Sequence, residues 1–349
     1  MLTLTTSLAL SPSPVTLLRG TELPHPERAV ARGDVVRVRA GVFAPAAQWR
    51  RLRPWERYLA RVHAVALVRP DAIFCHESAA VLVGMPVVGD PVTVHVLVAA
   101  TEAARESAGI RSHRAAALPD LITVGGIVVT TPAVTAVTLA RYRHHALGLA
   151  ATDAALRLDP LLSRDALSTE NESRPTGRGR NTARWALTRA SAQRESALES
   201  LSDAVREWLG FPAPELQHAF VAADGTVDRG DQWWENLGLL GEPDGEFKYD
   251  GRFGDPAGLL RKRRERDRRL LSGPVAAIAH WGWIEVARVW PLRDLLVGFG
   301  LPQLLPVQIA PLRSLMKLLQ PYDRLLSRDD RIPRVPSDRE RTTRRRENG

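Results

Sequence analysis

At 349 residues the chain exceeds one small core and implies two or three domains. Its 44% apolar and 25% charged residues are ordinary for a globular protein. The net charge of +9 comes from arginine more than lysine. That favours a polyanionic partner, because guanidinium groups fork onto phosphates and release counterions. An arginine-heavy coding composition gives the same excess with no such partner. A single cysteine, Cys75, excludes a disulfide framework and a Cys-rich zinc site. The opening Met1 to Leu18 lacks a basic start and is broken by Pro12 and Pro14, and no other run reaches membrane length. A cytoplasmic protein is expected.

From Thr16 to about Trp55 the sequence hints at a small DNA-binding module. Val30 to Phe43 predicts a helix end, a turn at Gly33 and an alternating strand with Arg37 and Arg39 on one face. The wing of a winged helix-turn-helix is such a basic hairpin resting on phosphate. Pro24 and Pro26 stand where its helices should run, so residues 1–55 predict a degenerate winged-helix-like module. Residues 56–167 then predict an α+β domain. Its helices are Pro54 to Leu67, one beginning at Glu77, Pro132 to Tyr142 and Asp153 to Leu167. Its strands are Val92 to Val98, Ile110 to Arg114 and Ile127 to Val129. Cys75, in Phe74-Cys75-His76-Glu77, reads as a core residue rather than a nucleophile. His76, His95 and His113 match no ligand spacing and read as satisfied or surface histidines. Ser168 to Asn181, polar and rich in Gly and Arg, predicts a linker, which with a lead-in helix after it makes up 168–190.

The region 191–298 is organised around Gly241 to Tyr249. The apolar run Leu237 to Leu240 predicts a strand that leads into Glu242 and Asp244, which share a face. Gly245 then turns the chain and Lys248 returns close by. Asp231, in the alternating Val227, Arg229, Asp231 and Trp233, precedes Glu242 by a hairpin's length. Upstream, Leu198, Leu201, Val205 and Leu209 stripe a helix with Glu199 near its start. Two carboxylates at a strand end either hold a hard divalent cation or stand as solvated charges.

Leu259 to Leu271 predicts a helix with a charged middle. Arg261, Lys262, Arg263 and Arg264 are candidates for nucleic-acid contact, against a plain solvated face of Glu–Arg pairs. Val275 to Val289 predicts a final strand or two, with Trp281, Trp283 and Trp290 as core. Leu304 to Leu319 predicts an amphipathic helix. Ser327 to Gly349 has Ile332 and Val335 as its only sizeable apolar residues and is expected to be disordered.

Helix with acid, strand with Asp, strand with Glu-x-Asp, then Lys is the layout of a PD-(D/E)xK nuclease core. On "ESALESL", "LGFPAPELQ", "RGDQWW", "GEPDGEFKY", "LRKRRERDRRLL" and "VARVWPLRDLL", Ser191 to Gly298 resembles the endonuclease-type domain related to very-short-patch-repair (Vsr-like) nucleases. On "ARGDVVRVRAGVFAP", "HESAAVLVGMPV" and "VTTPAVTAVTLAR", the preceding part resembles the AbiEi family of type IV antitoxins. The first resemblance implies a restriction-endonuclease-like core in which Asp231, Glu242 and Asp244 bind Mg²⁺ or Mn²⁺. Glu199 would orient that shell, with Lys248 near the attacking water. The second implies DNA and a toxin as partners.

The sequence also departs from the nuclease pattern. Asp244 occupies the usual lysine position two after Glu242, Gly230 and Gln232 interrupt one strand, and Pro243 interrupts the next. Two readings therefore stand: a metal-dependent DNA endonuclease targeted by an antitoxin-like module, and a non-catalytic DNA-binding regulator on a retired nuclease fold. A protein-interaction scaffold is a third.

Overall fold

The computed structural model of the chain describes residues 8–99, 101, 103–115, 117–222, 225–244 and 256–329. They form a mixed α+β fold on three sheets. The first sheet belongs to the N-terminal module, built from β1 (Leu18–Arg19), α1 (Pro26–Arg32), β2 (Val35–Arg39), β3 (Val42–Pro45), α2 (Ala46–Arg51) and α3 (Pro54–Val68). Its order is β1-β3-β2, antiparallel throughout. Pro26 starts α1 at a first-turn position, where a missing N–H costs nothing, and Gly33 ends it in the left-handed conformation. The prolines that looked hostile to a helix thus delimit one.

The middle unit comprises β4 (Ile73–Phe74), α4 (His76–Leu82), β5 (Val94–Val98), β6 (Glu106–Ser107), β7 (Ile110–Arg114), β8 (Leu121–Val124) and β9 (Ile127–Thr130). The helices α5 (Pro132–Tyr142), α6 (His145–Leu158), α7 (Arg164–Ser173) and α8 (Arg180–Arg189) follow. Its sheet runs β6-β7-β5-β4-β9-β8, with β5–β7 and β4–β9 parallel. Thr131 caps α5 by accepting from the Val134 amide at 3.3 Å, and Pro132 follows at the first turn.

Ser168 to Asn181 is not the loose linker that its composition predicts. α7 runs through its first half and α8 begins before its end. Between them Arg174 donates to Glu170, to the Thr138 hydroxyl and to the Val134 carbonyl. Asn171 and Thr176 accept from Arg141 of α5, so Arg174, Asn171 and Thr176 fasten this stretch to that helix.

The last unit comprises α9 (Ala197–Trp208), β10 (Glu215–Val221), β11 (Val227–Trp234), β12 (Leu239–Pro243), α10 (Pro256–Leu271), β13 (Ala277–Trp281), α11 (Trp283–Arg288), α12 (Trp290–Gly298) and α13 (Ile309–Asp329). Its sheet runs β10-β11-β12-β13; β12 and β13 are parallel and joined across α10, as a parallel pair requires. Val275 to Val289 therefore supplies one strand and then a helix. α13 extends past the predicted Leu319 to Asp329, so residues 327–329 of the expected disordered tail are helical, and 330–349 lie outside the described residues.

Gly230 proves necessary rather than weak. A Cβ there would meet Leu240 Cδ1 at 2.4 Å and the Phe220 ring at 3.0 Å. Pro243 closes its strand, and the ladder continues at Asp244, whose N–H donates to the Trp281 carbonyl at 2.8 Å. One apolar core runs from the middle unit into the last, from Phe74 and Leu149 through Leu201 and Trp208 to Leu292 and Leu315.

Candidate functional site: an ion-paired carboxylate cluster beneath a basic helix

Glu199 lies in the first turn of α9, whose N-cap is Ser196. The Ser196 hydroxyl accepts from the Glu199 amide at 3.2 Å and donates to Glu199 Oε1 at 2.8 Å, while Glu199 Oε2 accepts from the Glu195 amide at 2.8 Å. The carboxylate is thereby fixed, 7% exposed, facing the sheet. On β10, Gln217 reaches both acids of this corner. Its Nε2 donates to Asp231 Oδ1 at 2.9 Å and approaches Glu199 Oε2 at 3.4 Å. Gln217 holds a φ of 53°, a conformation a side chain of its size rarely adopts. The β11–β12 register sets Gln232 opposite Gly241, so the next step outward carries Asp231 and Glu242.

The three acids predicted on α9, β11 and β12 therefore converge, and their charges act on one another. Burial, then Glu242, then Glu199 push the Asp231 carboxyl up to about 7, against the Gln217 hydrogen bond and the Arg266 charge. Burial likewise raises Glu199, against its hydrogen bonds from Glu195 and Ser196.

What meets these acids is α10. Arg263, Arg266 and Arg269 recur every third residue and so share a helix face. Each takes one carboxylate. Arg263 Nη2 lies 3.1 Å from Asp244 Oδ2. Arg266 clamps the buried Glu242 with both Nη atoms, at 2.8 and 3.2 Å. Arg269 forks onto Asp228 at 2.8 and 2.9 Å. Arg266 also donates to the Arg229 carbonyl. His280 on β13 stands 3.6 Å from Asp244 and 3.4 Å from Asp267. Such bidentate, charge-assisted pairs are the strong ones. Gln217 and Arg266 were not singled out from the sequence. The period of three was there to be read in Arg263, Arg266 and Arg269, though hidden in a run of like charges.

A divalent cation on Asp231, Glu242 and Asp244 would have to displace two guanidinium groups and a proton held to about neutral pH. As arranged, these residues suit an ion-paired cluster rather than a cation's oxygen shell. Lys248 lies outside the described residues. On the outer side of α10, Arg261, Lys262 and Arg264 are exposed, while Arg263 is turned to Asp244. In the N-terminal module Arg37 is exposed, paired with Glu27 and lying over the Phe43 ring at 5.6 Å. Arg39 is half-buried; burial and then Arg69 lower its pKa, and its Nε is buried without an acceptor.

The histidines read as unrelated are brought together. His76 and His113 stack with ring centroids 4.0 Å apart, and His95 Nδ1 lies 2.8 Å from His113 Nε2. His76 Nδ1 lies 3.2 Å from Cys75 Sγ, and Cys75 is buried as predicted. Parallel pairing of β5 with β7 brings His95 and His113 together, His76 joins them from the start of α4, and no spacing rule along the chain announces the meeting. Among the described residues, no helix is long and apolar enough to cross a membrane.

Residues 72–187, from the approach to β4 almost to the end of α8, match the family described as the AbiEi antitoxin C-terminal domain. The uncharacterized proteins MT2308 and Rv2248, from two strains of Mycobacterium tuberculosis, are each 32% identical over 235 residues, covering 67% of this chain and 81% of theirs. No solved structure matches. On these matches, the chain belongs to one family with those mycobacterial proteins, and its middle unit matches the AbiEi antitoxin C-terminal domain.

Proposed function

We propose that this protein is a cytoplasmic, DNA-binding regulator of the antitoxin type, acting beside a cognate toxin, whose nuclease-like last unit holds DNA without cutting it. The match of residues 72–187 to an antitoxin domain carries the reading. The ion pairs of Glu242 with Arg266 and of Asp244 with Arg263 support its non-catalytic side, because they neutralise the acids a metal would need. The exposed Arg261, Lys262 and Arg264 on α10, with Arg37 on the N-terminal hairpin, supply cations for a phosphate backbone.

The test is fluorescence anisotropy of a labelled duplex titrated across salt concentrations. Wild type should bind with a steep salt dependence. The triple variant R261E/K262E/R264E should weaken binding to all sequences alike, each lost phosphate contact flattening the log–log slope by about 0.9. No binding at low salt, or affinity indifferent to salt, overturns the proposal.

A metal-dependent endonuclease is the second reading. The order α9, β10, β11, β12, α10, β13, with acids on α9, β11 and β12, favours it as the layout implied by the nuclease resemblance. Plasmid nicking that needs Mn²⁺ or Mg²⁺ and is lost in Asp231→Asn would replace the first reading with this one.

A further inference from the structure

The antitoxin domain contains a cavity of about 790 Å³ that the DNA-binding reading does not use. It opens between the β5–β7 part of the six-stranded sheet and the helices α5 and α7. Six arginines line it: Arg111, Arg114, Arg141, Arg143, Arg174 and Arg178. The carboxylates among its lining residues are Asp120 and Glu170. Several of the cations are already matched: Arg143 pairs with Glu77, Arg111 with Glu106 and Arg174 with Glu170.

Arg141 is different. It is 3% exposed, and its guanidinium is held by neutral oxygens. Nε donates to Asn171 Oδ1 at 2.8 Å, and Nη2 donates to the carbonyls of Asn171 at 3.2 Å and Thr176 at 2.9 Å. It makes no ion pair with a carboxylate among the described residues, and its Nη1 is buried with no acceptor. A buried guanidinium with no carboxylate paired to it and one hydrogen bond unmet is costly, and an anion from outside would supply both.

We propose that this cavity binds a phosphorylated small molecule of up to nucleotide size, anchored on Arg141 with Arg174 and Arg178 beside it. Phosphate offers the planar guanidinium two acceptors at once and carries the missing charge. The volume falls within the range of small-molecule sites. The stacked His76 and His113 also line the cavity and give it a neutral stretch of wall. Burial, then the neighbouring histidine and arginine charges, hold His113 down to about 4, and burial holds His76 well below its ordinary value.

The competing occupant is a soft metal ion, since ligand atoms of Cys75, His76 and His113 lie within 4.8 Å of one another. The surrounding arginines repel a cation, and burial followed by the Glu77 charge keeps the thiol protonated. Anion binding is therefore the stronger inference.

The test titrates the full chain with inorganic phosphate, pyrophosphate and ATP by isothermal calorimetry, with Zn²⁺ and a short DNA duplex as separate arms. At least one phosphate compound should bind saturably. Arg178→Ala, at the rim over the Tyr142 ring, should weaken it about tenfold with an unchanged melting temperature. Arg141→Gln should abolish it; if that variant does not fold, Arg178→Ala still decides. K262E/R264E on α10 should leave small-anion binding intact, which separates this site from the duplex-binding face. Binding of Zn²⁺ or duplex alone, or phosphate binding insensitive to Arg178, overturns the proposal.

Discussion

Arg266 is the residue on which the acidic corner turns, because it converts a potential ligand, the buried Glu242, into half of a part-buried ion pair. Asp231 is left beside it with Gln217 as a neutral donor and two acids as neighbours. Its folded pKa near 7 exceeds the ordinary 3.8, so the folded state takes up the proton first as pH falls. Its contribution to stability is thus most favourable below pH 4 and is lost as pH rises through 7. Asp231→Asn, which removes the charge, should therefore raise stability at pH 8 by roughly 1–2 kcal/mol. The gain should vanish by pH 4, as thermal melting across pH would show. A pH-independent effect would mean that neither burial nor the neighbouring acids raise the Asp231 carboxyl. The acids themselves are legible, since strand alternation marks Asp231 and Glu242 and a place near the helix start marks Glu199. Their partners are not, because a run with so many cations offers no local sign of which ones turn inward.

Element by element, the misreading at Ser168 to Asn181 is the instructive one. Composition alone makes that stretch a linker, yet α7 runs through it to Ser173 and buries Leu167 and Asn171, a helical spacing hidden among polar residues. The turn into α8 depends on Gly179. Its φ is +72°, and a Cβ there would lie 2.3 Å from the Arg141 carbonyl oxygen. Gly179→Ala should therefore lose about 2 kcal/mol or more, from left-handed strain and from pushing α8 off α5. Gly177→Ala, with nothing within 4 Å, is the control and should be near neutral. Equal melting temperatures for the two variants would restore the linker reading. The same contact ties this turn to the buried Arg141, so the segment that looked dispensable shapes the wall of the proposed anion site.

At the scale of the whole molecule, the middle unit that matches the AbiEi family and the last unit are joined by buried charge as well as by apolar packing. Asp153, on α6, is fully buried and accepts from the Ser191 amide at 2.7 Å, the Ser200 hydroxyl at 2.7 Å and Arg194 Nη1 at 3.1 and 3.2 Å. Arg194 Nη2 then reaches Asp203 on α9 at 2.6 Å, and Asp203 also takes Arg206 at 2.7 Å. Two carboxylates and two guanidinium groups thus alternate across the junction that the sequence reading split at 168–190. Burial lifts Asp153 to about 6 even with Arg194 in place, so the pair is held together by necessity more than by surplus attraction. Arg194→Ala strands Asp153 without its counter-charge and should cost about 3–5 kcal/mol. Adding Asp153→Asn should recover part of that loss, because the uncompensated charge goes with it. Urea unfolding followed by tryptophan fluorescence and by far-ultraviolet circular dichroism reads both effects. The wild type should show one coincident transition, since the core from Phe74 to Leu315 is continuous and the charge network crosses the same seam. Two separated transitions, or an Arg194→Ala loss that Asp153→Asn does not relieve, would mean that the two units fold independently and only touch.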